Sequence, residues 1–144
     1  MDSITLVIKA ISENISLSRT LVAAYAARCN PSFEIINDVK TAVSEAVTNA
    51  VIHAYNGDFD KEVSINAHII DNILSVSVTD CGVGIADVEK ATQGFYTTRQ
   101  DDECVGLGFT IMKTFMDTLE VKSTLGTGVS VIMTKRLSNG KCEE

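Results

Sequence analysis

Glu45 and Asn49 stand four residues apart in a long helical run, a spacing at which both side chains leave the helix on the same side. A carboxylate placed there can take a proton as a general base, and an amide oxygen beside it can ligate a hard cation such as Mg2+. The pair is equipped to work on a nucleotide if phosphate-binding elements lie elsewhere in the chain; a solvated helix face would carry the same two residues. Asp80-Cys81-Gly82-Val83-Gly84 is the next candidate. Its carboxylate follows an apolar strand pattern, its glycines let the backbone approach a flat ring, and an aspartate accepts hydrogen bonds. An exocyclic amino group such as that of adenine is its natural partner, although an ordinary Asp/Gly turn fits the same residues. Gly106-Leu107-Gly108 opens a helical pattern, where free N–H groups and the helix dipole favour an anion. Gly126-Thr127-Gly128 is the least specific of the set, because hairpin turns routinely use glycine.

These groups must be held by regular elements, and hydropathy periods say which. At about 100° per residue, Asp38, Thr41, Glu45, Thr48 and Asn49 form one polar stripe. Val39, Val43, Ala46, Val47, Ala50 and Ala54 form the opposite, apolar side. The spacing predicts a helix that Ser32 caps and that runs to about Tyr55, following a first helix that starts near Ser12-Glu13-Asn14 and stops at Asn30-Pro31. Residues 4–11 are apolar on both parities, as in a strand covered on both faces or paired with another subunit. From Val63 the period becomes two, and Asp71-Asn72 divides the alternating stretch into a hairpin. Residues 86–105 lose periodicity and predict a long polar loop, with room for a short helix before it. Helical spacing returns over Gly108–Thr118, and a second hairpin pairs Leu119–Leu125 with Val129–Lys135. The architecture predicted is an α/β two-layer sandwich, with helices on one face of a mixed, mostly antiparallel sheet. It forms a single domain over residues 1–137, followed by a short polar tail at 138–144.

Composition narrows the function classes. A chain of 144 residues that is 45% hydrophobic can bury one real core. Nineteen acidic against twelve basic residues give a net charge of -7, which repels a nucleic-acid backbone, and no local basic patch reverses it. The N-terminus has no basic and hydrophobic leader, and no apolar run approaches membrane-spanning length, so a cytoplasmic protein without membrane contact is expected. Cys29, Cys81, Cys104 and Cys142 are scattered without a Cys-x-x-Cys, which suggests reduced thiols and neither a disulfide framework nor a zinc site.

The order of these motifs resembles the GHKL ATPase family, which has the Bergerat nucleotide-binding fold. Ser44 to His53, Asp80 to Ile85, Tyr96-Thr97-Thr98 and Gly106 to Asp117 resemble most closely the anti-sigma serine-protein kinases of partner-switching systems, and the similarity spans nearly the whole chain. The resemblance implies ATP and Mg2+ as cofactors. It makes Glu45 the base that prepares a protein serine hydroxyl, Asn49 the Mg2+ ligand and Asp80 the adenine acceptor. Gly82 and Gly84 would pack on the adenine and ribose side, with Thr127 supporting the adenine contact. Residues 94–105 would form a lid over the phosphates, hinged at Gly106 and Gly108, and Thr98, Gly106, Leu107 and Gly108 would contact the nucleotide. The implied partners are a sporulation sigma factor, an anti-anti-sigma protein substrate and a second copy of the chain, with residues 4–11 and the first helix, including Arg19, forming much of the dimer and partner surface. The pattern departs at Cys104, where these proteins commonly carry an arginine; Arg99 is the basic residue left in the same loop. That departure keeps an alternative in view, a module that binds ATP and sequesters a partner without transferring phosphate.

Overall fold

A computed structural model of the chain describes residues 2–54, 61–80, 103–124 and 128–138. Its elements run β1 (Ser3–Lys9), α1 (Glu13–Ala27), α2 (Phe33–Thr48), a π-helical turn (Asn49–Ala54), β2 (Glu62–Ile70), β3 (Ile73–Thr79), α3 (Glu103–Phe115), β4 (Thr118–Thr124) and β5 (Gly128–Arg136). The five strands form one sheet in the order β1-β2-β3-β5-β4. Each of its four pairings is antiparallel, so the mixed sheet expected from the sequence is antiparallel throughout the described strands.

The strict period of two sends one parity of every strand to the same face. Leu6 lies opposite Ile65, Ile65 opposite Val78, Val78 opposite Val131, and Val131 opposite Val121, which makes a continuous apolar row across the sheet. Helices cover this face: Val22, Tyr25 and Ala26 of α1, Val39, Val43 and Val47 of α2, and Phe109 and Met112 of α3 are buried with the row in one core. Each fully buried aliphatic or aromatic side chain contributes about 1.5–3 kcal/mol, so the face is held by the sum. The other parity is largely polar and pairs laterally, as in Asn66 Nδ2 donating to Thr5 Oγ1 at 3.1 Å and the hydroxyls of Thr79 and Ser130 at 3.0 Å.

Local signals explain the boundaries. Ser32 has extended backbone angles and its hydroxyl accepts from Ile35 N at 3.2 Å, so it caps α2. Ser12 is already helical and makes no such bond; instead Asn14 Nδ2 donates to the Lys9 carbonyl at 2.9 Å, tying the start of α1 to the end of β1. Asp71 and Asn72 both take positive φ, 54° and 64°, the twist a two-residue hairpin turn requires. The start of α3 is earlier than its spacing suggested. The helix begins at Glu103, so Gly106 and Gly108 lie inside it and do not open it. Cys29, at the end of α1, is buried and disulfide-bonded, with its partner sulfur outside the described side chains. This corrects the reading of all four cysteines as reduced thiols; spacing reveals local thiol pairs but not those a fold brings together. No helix among the described residues is long and apolar enough to cross a membrane.

Candidate nucleotide site

The polar stripe of α2 is not a solvated face. Val39, Val43, Ala46, Val47 and Ala50 turn into the core, while Asp38, Thr41, Glu45, Thr48 and Asn49 are all half-buried. Helix α3 packs against α2, and Gly108 lies directly against the stripe. A Cβ at Gly108 would lie 3.2 Å from both amide atoms of Asn49 and 3.3 Å from Glu45 Oε2. Only a glycine leaves both side chains where they stand.

The electrostatics of this point are unusual for a helix interface. Asn49 Nδ2 is buried and makes no hydrogen bond among the described residues. Leaving such a donor unmet costs about 1–3 kcal/mol, a penalty that a ligand oxygen removes. Burial pushes the Glu45 carboxyl above its usual range, which brings it nearer to the basicity a proton acceptor needs. The backbone changes at the same residue. Asn49 N–H reaches the carbonyls of both Glu45 and Ala46, and from Asn49 onward the helix widens into the π turn. Such turns recur at functional sites because they rotate side chains out of the regular 3.6-residue register.

Asp80 directly follows β3 and is only 7% exposed. Its backbone N–H donates to Val129 O at 2.9 Å, and its Oδ1 accepts from Val129 N at 3.3 Å. The carboxylate is thus fixed against the start of β5. Among the other sequence candidates, Leu107 is exposed on α3, and Gly106 lies within the same helix. Gly82, Gly84, Thr98 and Thr127, and the proposed lid up to Asp102, fall outside the described residues.

Asn49 and Glu45 fit a bound cation and phosphate. An amide presents either an acceptor oxygen or a donor NH2 to the same point, the choice being set by what it meets. No cluster of three His, Cys, Asp or Glu among the described residues could hold a metal by itself. Asn49 would offer a hard cation one oxygen, and Mg2+ commonly fills the rest of its shell with waters and substrate phosphates.

Sequence reasoning did not anticipate that Gly108 is the tight contact between α2 and α3, nor that Lys135 is drawn into the same helix pair. Lys135 Nζ lies 3.2 Å from Asp38 Oδ2 and donates to Phe115 O at 2.6 Å. A signal was present. Lys135 shares the parity of Val129, Val131 and Met133, so it is a lysine on the core face of a strand.

The model of the histidine kinase-like ATPase domain matches residues 8–135. The chain is 52% identical over 130 residues to the anti-sigma F factor of Caldanaerobacter subterraneus subsp. tengcongensis, covering 90% of each protein. It is 51% identical over 130 residues to the anti-sigma F factor of a Thermoanaerobacter species, again covering 90% of each. Among solved structures, the RsbU and RsbW domains of a Mycobacterium tuberculosis protein superpose with a TM-score of 0.68 at 18% identity, over 95% of this chain and 32% of that one. The catalytic domain of the histidine kinase ThkA superposes with a TM-score of 0.57 at 18% identity, over 95% of this chain and 97% of that one. At those identities the two structures speak for the fold alone.

Proposed function

Because the chain belongs to the histidine kinase-like ATPase family, we propose that it is an ATP-dependent anti-sigma factor which holds a sporulation sigma factor inactive and phosphorylates a serine on an anti-anti-sigma protein. The observation that carries the proposal is the convergence of Glu45, Asn49 and Gly108 on one buried point with an unmet amide. The names of the relatives, anti-sigma F factors at about half identity over nine-tenths of the chain, support the choice of partner.

In this reading Asp80 accepts from the adenine amino group, and its tie to Val129 keeps the acceptor oriented. Asn49 holds Mg2+, which would neutralise charge on the phosphates; Gly82 and Gly84 pack on the adenine and ribose side, with Thr127 behind the adenine. Thr98 belongs to the lid, Gly106 and Gly108 serve as its hinge, and Leu107 between them contacts the nucleotide. Glu45 takes the proton of the substrate serine. Phosphoryl transfer asks a protein mainly for positioning and charge neutralisation, and this short set supplies both. Val7, 56% exposed on edge strand β1, and the exposed Leu17 and Leu21 of α1 support a homodimer through the first two elements. The protein acts in the cytoplasm without direct contact to nucleic acid or membrane.

Cys104, standing where an arginine is common in such proteins, favours a second reading in which ATP fixes the lid and a partner is sequestered without phosphate transfer. Incubation with labelled ATP, Mg2+ and the antagonist encoded beside this chain separates the two. Label on an antagonist serine is expected. ATP and sigma-factor binding with no label on any antagonist would establish the sequestering module instead.

A further inference from the structure

Lys135 occupies a costly position. It follows the core-facing parity of β5, between the fully buried Met133 and Leu137, and its side chain is only 14% exposed. An ammonium there must be matched by partners, and two are present: Asp38 on α2, itself 19% exposed, and the carbonyl of Phe115, the last residue of α3. A cation on that carbonyl also meets the negative end of the helix dipole.

The spacing connects these contacts to the nucleotide site. Asp38 lies seven residues before Glu45 on the same stripe of α2, and Phe115 lies seven residues after Gly108 on α3. The two helices therefore run antiparallel, with one pair of contacts at Glu45, Asn49 and Gly108 and the other at Asp38, Lys135 and Phe115. Two turns of helix, about 10 Å, separate the two ends. A rigid pair of helices fastened at one end has its spacing set at the other. We infer that Lys135 is a positioning residue for the nucleotide site, fastening the far ends of α2 and α3 so that Gly108 stays against Asn49 and Glu45. It touches neither nucleotide nor substrate. The inference rests on the nucleotide-site reading for its consequence, but not for the contact itself.

The test uses the full chain labelled with nitrogen-15 and two measurements on each variant: the signals of the Gly108 amide and the Asn49 side-chain NH2 without nucleotide, and ATP affinity by calorimetry. Lys135→Met keeps the aliphatic stem and removes the donor. It is expected to shift both signals and to weaken ATP binding about threefold to thirtyfold, the range of coupling through packed elements. Lys135→Arg, which can reach both acceptors, should return signals and affinity toward wild type. Lower thermal stability in Lys135→Met, with both signals in place and ATP affinity unchanged, would overturn the inference and leave a purely structural lysine. If Lys135→Met does not fold, Asp38→Asn is read the same way: it retains the bond to Phe115 and should give smaller shifts in the same direction, and unmoved signals there overturn the inference. Shifted signals in a protein whose wild type binds no ATP would sink the nucleotide reading and leave the positioning role standing.

Discussion

Asp80 and Glu45 are both carboxylates, but their surroundings assign them different work. Asp80 is held by a backbone N–H, so Asp80→Asn can keep an acceptor oxygen for Val129 while the charge is lost and the second oxygen becomes a donor NH2 that cannot accept from the adenine amine. Losing a hydrogen bond to a charged group costs about 1.5–3 kcal/mol, so ATP affinity should fall about tenfold to a hundredfold in a folded variant. Unchanged affinity by calorimetry would remove Asp80 from the adenine site. Glu45 is raised by desolvation, which makes its effect dependent on pH. The folded chain keeps this proton at a pH where the unfolded chain has lost it. Stability therefore falls as pH rises from the ordinary glutamate range through the raised value, and is level above it. Glu45→Gln has no charge to desolvate, so its advantage in urea midpoint over wild type should open across that window and persist at neutral pH. The same substitution should slow transfer to the antagonist by about 10² to 10⁴ while sparing ATP binding. Wild-type transfer rates in Glu45→Gln would show that Glu45 is not the base.

Between the helices, the sensitive position is Gly108. Alanine in a helix interior is favoured over glycine by about 1 kcal/mol, whereas the added methyl would press on Asn49 and Glu45 at 3.2–3.3 Å. The two effects oppose each other in stability, but only the second acts on the site. Gly108→Ala should leave the thermal midpoint nearly unchanged and weaken ATP binding about tenfold, equivalent to about 1.4 kcal/mol. A variant equally stable and equally tight would mean that the contact between α3 and the stripe is packing alone. The π turn belongs to this scale as well, since it begins at the residue whose amide is unmet.

For the molecule as a whole, the decisive question is what covers β1 and α1. An edge strand with an exposed valine, followed by a helix with two exposed leucines, leaves apolar surface open to pairing, and pairing of identical chains closes with twofold symmetry. The wild-type chain should sediment as a dimer at micromolar concentration, and Val7→Lys combined with Leu21→Glu should sediment as a folded monomer. A wild type that stays monomeric, or a double variant that stays dimeric, would place the partner surface elsewhere.

Periodicity alone determined most of the elements. Alternation over 63–69 and 74–78, the Asp71-Asn72 turn and the later hairpin are local matters of side-chain parity and turn conformation, and each is where the sequence puts it. The division of α2 into an apolar side and a polar stripe was equally legible, because it needs only a helical period. What the stripe faces was not. A half-buried polar stripe and a solvated one are written with the same residues until α3 is laid against it, and that placement depends on contacts between residues some sixty positions apart. The same reason applies to Gly108, which in sequence is one half of a Gly-x-Gly at a helix start and in the fold is the gap that makes room for Asn49. It applies also to Lys135, whose partners are 97 and 20 residues away, and to Cys29, whose bond no spacing rule could find. Local geometry is fixed by neighbours along the chain; burial, and with it the raised Glu45 carboxyl and the unmet Asn49 amide, is fixed only when distant segments close over them.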